Sequence, residues 1–338
     1  MRAAVYKGNQ RFEIEELPTP TPGANEVVLR VKYCAICGTD VHCFLYDVSP
    51  PGTVMGHEYC GTVTEVGSAV SMWKVGDRVV GGGGTAPPGR ESAIRADPRV
   101  NYRELASASS KVRAYAEYVL LEEWEMLPLP DGVSDEMASL CEPCAVAVHA
   151  VRLSQLKLGD SVAVLGAGPI GLFCLQAARA AGAGAVFVSE PAPARADAAR
   201  TLGADAVLDP TSQDVEAEVV ALTDGMGPQV VFDCAGLGST LDQAFNLVRR
   251  GGQVMLVAVP WVPMPVEPAD WMAREVGFQT SFGSRPLDWR ISLDLLESGK
   301  VTVSPMLSEE GFVPLEGIQQ AFEELVKPTT QVQMIVRP

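Results

Sequence analysis

Histidine is scarce in this chain, with three in 338 residues. Positive charge is scarce as well: 26 Lys+Arg stand against 42 Asp+Glu, a net charge of −16. A surface short of cations suits neither a phosphate backbone nor anionic lipid, so neither nucleic acid nor a membrane is an expected partner. The apolar stretch Val254–Val266 is interrupted by Pro260, Pro263 and Pro265. It falls well short of the roughly 20 residues that span a bilayer. The opening residues, MRAAVYKG, lead into folded-looking sequence without the apolar core of a secretory signal. The eight cysteines are spread through a long chain, and none lies between Cys60 and Cys141. That pattern does not fit a small disulfide scaffold and points to reduced thiols in the cytoplasm.

What is present falls into two rhythms. Up to about residue 140 short β-rich runs are separated by Gly and Pro: Val27–Val31, Gly61–Val66, Val75–Val80 and Ala116–Leu121. Such a series predicts a compact antiparallel barrel. From about residue 145 continuously apolar strands alternate with helices. Strands are expected at Val162–Leu165, Ala185–Ser189, Ala206–Leu208, Val230–Cys234 and Val254–Ala258, with a sixth near Phe278–Phe282. Helices are expected at Ile170–Ala181, Ala194–Leu202 and Leu241–Arg250. Strands buried on both faces with helices between them make a doubly wound parallel sheet, so the chain is α/β. The elements after Ser284 have no place in a finished six-stranded sheet and are expected to return to the first domain. The boundaries drawn are 1–146 with 284–338 for one domain and 147–283 for the other.

The first strand of the second rhythm runs into Gly166-Ala-Gly168-Pro169-Ile170-Gly171 and then an apolar helix. Alone, this glycine pattern is weak evidence. Between a strand and a helix, with Glu190 standing 19 residues past Gly171 at the end of the next strand, it reads as a dinucleotide loop. Gly166 permits the turn, Gly168 lets a pyrophosphate approach the backbone, and Gly171 lets helix and strand pack closely. The helix start offers free N–H groups to phosphate. Glu190 can accept from both ribose hydroxyls and would repel a 2′-phosphate, which favours NAD over NADP. Arg195, five residues on, weakens that exclusion slightly.

Two of the three histidines lie in short stretches rich in other ligands. One is Cys34-Ala-Ile-Cys37-Gly-Thr39-Asp-Val-His42; the other opens Gly56-His57-Glu58 and continues through Gly61 to Gly67. A catalytic zinc takes three protein ligands and keeps one position open, and Cys37, His57 and an acid can supply that set. His57 and Glu58 are adjacent, so both can face one ion only from a loop or bend. Cys34 and Cys37 have no second pair at knuckle spacing. His149, at the start of an apolar helix, reads as a packing residue.

The GHExxGxVxxVG stretch, the CGTDVH stretch and the GAGPIG loop together resemble the zinc-containing medium-chain dehydrogenase/reductase family. The likeness is greatest to its polyol and secondary-alcohol branch, which includes sorbitol and butanediol dehydrogenases, and it runs over nearly the whole chain. It implies a GroES-like β-barrel catalytic domain beside a Rossmann NAD-binding domain. It implies that Cys37 and His57 ligate zinc, that Glu58 is an exchanging or outer ligand, and that Glu142 supplies a carboxylate ligand. It also implies that Thr39 takes the substrate proton and His42 passes it on. A zinc ion is a Lewis acid that eases the loss of an alcohol proton, and NAD accepts the hydride.

The sequence departs from the resemblance at one place. Many members hold a second, structural zinc with four cysteines after the GDRV turn, where this chain has Gly81–Gly89 and an Arg-rich stretch to Arg113. One catalytic zinc per chain and no structural zinc are therefore expected. The substrate implied is a small alcohol or polyol, and a homodimer or homotetramer is the expected assembly. Two rivals remain open here: a zinc-free NAD(P)H-dependent reductase on the same fold, and a non-catalytic binding protein on a dehydrogenase scaffold.

Overall fold

The computed structural model describes residues 1–89, 112–326 and 331–338. The Arg-rich stretch singled out above lies almost wholly outside the described residues. The chain divides into two compact units: Met1–Glu142 with Glu309–Pro328 and Met334–Pro338, and Pro143–Ser308 with Thr329–Gln333.

In the first unit, alternating apolar residues form a seven-stranded sheet. Its order is Phe312–Pro314, Ile335–Arg337, Glu26–Ala35, Glu58–Val66, Arg78–Gly81 and Met126–Pro128, with Tyr118–Glu122 also paired to Glu26–Ala35. All pairings but the first are antiparallel. The long strand Glu26–Ala35 is central because Val27, Val28, Leu29, Val31, Cys34 and Ala35 are all buried. Register shifts at Val28/Leu29 and Val31/Tyr33 bend it, as bulges do. The run Val75–Val80, a strand with a turn by its pattern, is a turn that leads into strand Arg78–Gly81. Lys74–Asp77 is a turn, with Gly76 at φ +97° and the Lys74 N–H donating to Asp77 Oδ2 at 2.9 Å. A second, two-stranded sheet pairs Arg2–Tyr6 with Phe12–Glu16.

The second unit carries six parallel strands in the order Ala206–Leu208, Ala185–Ser189, Ser161–Leu165, Val230–Asp233, Gln253–Leu256 and Gly277–Thr280. This is the expected doubly wound sheet. Its topological switch falls between Ser161–Leu165 and Val230–Asp233, where open α/β sheets bind ligands at the strand C-termini. Helix Pro169–Ala180 begins on a proline, which suits the first helical position, and its middle is buried all round (Leu172, Phe173, Cys174, Leu175). One apolar core joins Leu165, Phe187, Val219, Val231, Phe245 and Val254. At its margin the Trp271 ring stacks on Phe245, centroids 3.4 Å apart. Arg274 donates to the carbonyls of Phe245 and Val248, the last carbonyls of helix Gly238–Leu247 and its cap.

The return to the first unit falls after Ser308, later than the position the change of rhythm suggests. Helix Pro286–Glu297 belongs to the second unit because its inner face is apolar (Trp289, Leu293, Leu296) and because of Asp288, which is fully buried. Asp288 pairs with Arg152, lies 2.8 Å from His149 Nδ1, and accepts the Arg285 N–H at 2.7 Å. His149 is thus a packing histidine held by an acid. Its imidazole pKa is pushed below the ordinary value by burial, which outweighs the pull of Asp288.

Replacing Asp288 by Ala should lower stability by about 2 kcal/mol. Arg152 can turn to water, but the Arg285 N–H loses its acceptor and the buried His149 its neighbouring carboxylate. Urea unfolding measures this, and a loss below about 0.5 kcal/mol would show that the carboxylate contributes little.

Candidate metal and dinucleotide sites

Cys37 stands at the N-terminus of helix Gly38–Leu45 and caps it, its Sγ accepting the Thr39 N–H at 3.4 Å. A helix N-terminus favours a thiolate. His57 and Glu58 come from the junction where a loop becomes strand Glu58–Val66. Gly56 makes the junction possible: its φ is +100°, and a Cβ there would lie 2.9 Å from Cys34 Sγ and from the ring and nitrogen of Tyr115. The bend lets neighbouring side chains converge, as their adjacency requires. One ligand atom each from Cys37, His57 and Glu58 lie within 4.8 Å of one another.

The electrostatics of the three are those of a cation site. Burial pushes the Cys37 thiol up to about 12, with the Glu58 charge adding to the effect. Burial, then the neighbouring Glu142 carboxyl, raises Glu58 as well. Glu58 is 2% exposed, and its Oε2 is buried without a hydrogen-bond partner. Groups whose charged forms are this costly to bury ionise when a divalent cation stands among them, and thiolate, imidazole and carboxylate together are a zinc donor set. The residues therefore fit a zinc ion.

Glu142, expected as a ligand, stands outside this tight set. It belongs to the first turn of helix Cys141–Leu153, near enough to raise Glu58. Its own carboxyl is raised by burial. Asp40 was missed in the sequence, although it sits inside the CGTDVH run. It is 5% exposed, and its Oδ1 lies 3.5 Å from His57 Nδ1. Burial pushes this carboxyl up, but His57 and the Tyr115 hydroxyl pull harder and hold it below the usual range. His57 in turn is raised well above its ordinary value: burial lowers it, and Asp40 and Cys37 together overcome that. A histidine whose second nitrogen faces a carboxylate is the common arrangement around metals.

Thr39 and His42 occupy one face of helix Gly38–Leu45, three residues apart. His42 Nδ1 lies 2.7 Å from the Gly38 carbonyl oxygen, which makes Nδ1 the donor and Nε2 the acceptor. Burial holds its pKa below the ordinary value. The Tyr46 ring stacks parallel to it at 6.0 Å. All eight cysteines are free thiols, so Cys34 and Cys37 form no disulfide.

In the second unit each glycine of the loop has the environment its place in the pattern implies. Gly166 has φ +92°, a Cβ on Gly171 would sit 1.9 Å from the Gly166 oxygen, and a Cβ on Gly168 would meet nothing within 4 Å. The last is an open space above the start of the helix at Pro169 and Ile170. Glu190 is 5% exposed and turned back toward the loop, accepting the Ala167 N–H at 2.6 Å and the Ala192 N–H at 2.8 Å. Each carboxylate oxygen keeps a further lone pair for a ribose hydroxyl. Arg195 is half-buried, its Nε buried without a partner. Asp233, also missed in the sequence, ends the strand across the switch point. Its Oδ1 accepts from the N–H groups of Ala235 and Gly236 and from the Thr240 hydroxyl, all at 3.0–3.1 Å. Its signal was an acid closing an apolar strand before a glycine.

Residues 23–131 match the model of the alcohol dehydrogenase GroES-like domain, and residues 169–298 that of the zinc-binding dehydrogenase domain. The chain is 34% identical to the (R,R)-butanediol dehydrogenase of Bacillus subtilis, covering 100% of both. It is 32% identical to a sorbitol dehydrogenase of Halalkalibacterium halodurans over 92% of each. Among solved structures, a putative zinc-binding dehydrogenase from Sinorhizobium meliloti bound to NADP superposes with a TM-score of 0.86 at 32% identity, covering 100% of this chain and 99% of that one.

A Gly56→Ala substitution should cost about 3 kcal/mol, from strain at positive φ and from crowding against Tyr115. A chemical denaturation midpoint close to that of the unsubstituted chain would show that the junction has room to spare.

Proposed function

The chain belongs to the zinc-containing medium-chain dehydrogenase/reductase family, in its alcohol and polyol dehydrogenase branch, and from that we propose that it oxidises a small secondary alcohol or polyol reversibly to a ketone, using one zinc ion per chain and NAD. The observation that carries this reading is the convergence of Cys37, His57 and Glu58 within 4.8 Å around a buried, unpartnered carboxylate oxygen. Without a cation that oxygen is buried with no partner, and a thiol, an imidazole and a carboxyl converge to no purpose, which weighs against the zinc-free reductase. An intact phosphate loop weighs against the binding-protein reading.

The roles divide as follows. Cys37, His57 and Glu58 hold the metal, and Glu142 adds a carboxylate behind them. When bound, zinc supplies a Lewis acid that lowers the pKa of the substrate hydroxyl. Thr39 accepts the hydroxyl proton, since its own hydroxyl both accepts and donates. His42, its Nδ1 fixed by the Gly38 carbonyl, receives that proton at Nε2 and releases it to solvent. In the second unit, Gly166, Gly168 and Gly171 with the helix start at Pro169 and Ile170 bind the pyrophosphate. Glu190 binds the adenosine ribose, and NAD supplies the hydride acceptor. Glu190 opposes a 2′-phosphate, while Arg195, with its unpartnered Nε, favours one. The buried, doubly held carboxylate is the stronger of the two, so NAD is assigned.

The test is NADH formation against vicinal diols, polyols, hydroxy acids and simple alcohols, run with NAD or NADP and with or without a zinc chelator. Turnover of a diol or polyol, faster with NAD and abolished by the chelator, is expected. Turnover that survives complete metal removal would sink the assignment. His42→Ala should reduce kcat near neutral pH by about tenfold or more while leaving NAD affinity largely intact. An unchanged kcat would remove His42 from the proton path.

A further inference from the structure

Asp40 is itself held from behind. Its Oδ1 faces His57 Nδ1 at 3.5 Å, while its Oδ2 accepts a hydrogen bond from the Tyr115 hydroxyl at 2.7 Å. The tyrosine has one proton to give. Its other neighbouring acceptor, the Ala35 carbonyl oxygen, is 3.5 Å away, so the proton belongs to Asp40.

Tyr115 is well placed to act as a fixed point. The residue is fully buried. Its N–H donates to the Met55 carbonyl at 2.9 Å, and its own carbonyl accepts from Ala4 at 2.8 Å. The ring stands edge-on to Phe322, centroids 5.9 Å apart. The backbone that carries His57 is tied to the same segment, because Ala114 donates to the Gly56 carbonyl at 3.1 Å and Gly56 lies against the Tyr115 ring. With Oδ2 occupied, the Asp40 carboxylate cannot rotate without losing a buried hydrogen bond. Oδ1 is thereby kept toward His57. A carboxylate at Nδ1 keeps the proton there and leaves the lone pair on Nε2.

We propose that the Tyr115 hydroxyl, acting through Asp40, holds His57 in the tautomer that ligates zinc through Nε2, so that Tyr115 is a positioning residue for the metal. This rests on the zinc reading above. A phenylalanine would fill the same space and leave Asp40 Oδ2 without its donor, so the hydroxyl is the part that matters.

The experiment compares the zinc dissociation constant of the full chain with those of Tyr115→Phe, Asp40→Asn and the double variant, by competition with a chromophoric chelator. The melting temperature of each zinc-free protein is measured alongside. Tyr115→Phe should bind zinc about tenfold more weakly, in the range for groups that orient ligating histidines. In the Asp40→Asn background the same change should add nothing, because the path through Asp40 is already cut. Equal zinc affinity with a lower melting temperature would make the hydroxyl merely structural and overturn the proposal. So would full additivity of the two changes. Unsubstituted protein that takes up no zinc would overturn the zinc reading as well, and so separates the two failures. A second measurement needs no substitution. The Tyr115 hydroxyl proton, buried and protected from exchange, should shift in the NMR spectrum when zinc is loaded, and a resonance that zinc leaves unmoved overturns the proposal.

Discussion

A thiol and three carboxyls gathered around one imidazole are the constraint on which the first unit is built. Asp40 is held as a carboxylate by His57, Tyr115 and Arg113, while burial pushes Cys37, Glu58 and Glu142 toward their neutral forms. Such a group is stable in an interior only if the protein fixes every member and a cation completes the balance. The surrounding architecture does the fixing. A helix N-terminus supports Cys37, a glycine at positive φ turns His57 and Glu58 the same way, and a buried tyrosine pins Asp40.

The second unit solves a different problem with related means. Its ligand is an anion, and what it presents is a helix start whose cap, Gly168, puts no side chain into the open space before it. The acids here do not gather; they brace. Glu190 reaches back to the Ala167 N–H and Asp233 to the N–H groups of Ala235 and Gly236. Each carboxylate thus stiffens a loop at the C-terminal end of a strand on either side of the switch point. Stiff loops lose little entropy when a ligand arrives, which is how a fold common to many functions becomes specific for one class of cofactor.

The two units also show why family resemblance has to be checked residue by residue. The motifs carry over as whole strings, and the geometry sorts their members. Cys37, His57 and Glu58 converge, while Glu142 is a neighbour whose charge is felt at Glu58 without joining the tight set. Helix Pro286–Glu297 reads from its position as part of the returning chain, yet buried Asp288 ties it to Arg152 and His149 in the second unit.

From the sequence alone the parallel sheet, its strand positions, the backbone settings of the three loop glycines and the placement of Cys37 and His57 near one another were legible. All of these are local: they depend on periodicity, on adjacent residues, or on a strand, turn and helix in immediate succession. Asp40 stood in plain view inside a motif, but nothing in its spacing said that it would face His57 rather than solvent. Tyr115 gave no signal at all, because its role depends on the register that lays Ala114–Ala116 beside both Ala3–Ala4 and Met55–Gly56. Those pairings bring together residues far apart in the chain. Only the folded structure decides them, because a single residue's shift in register would turn the hydroxyl away from the carboxylate it now holds.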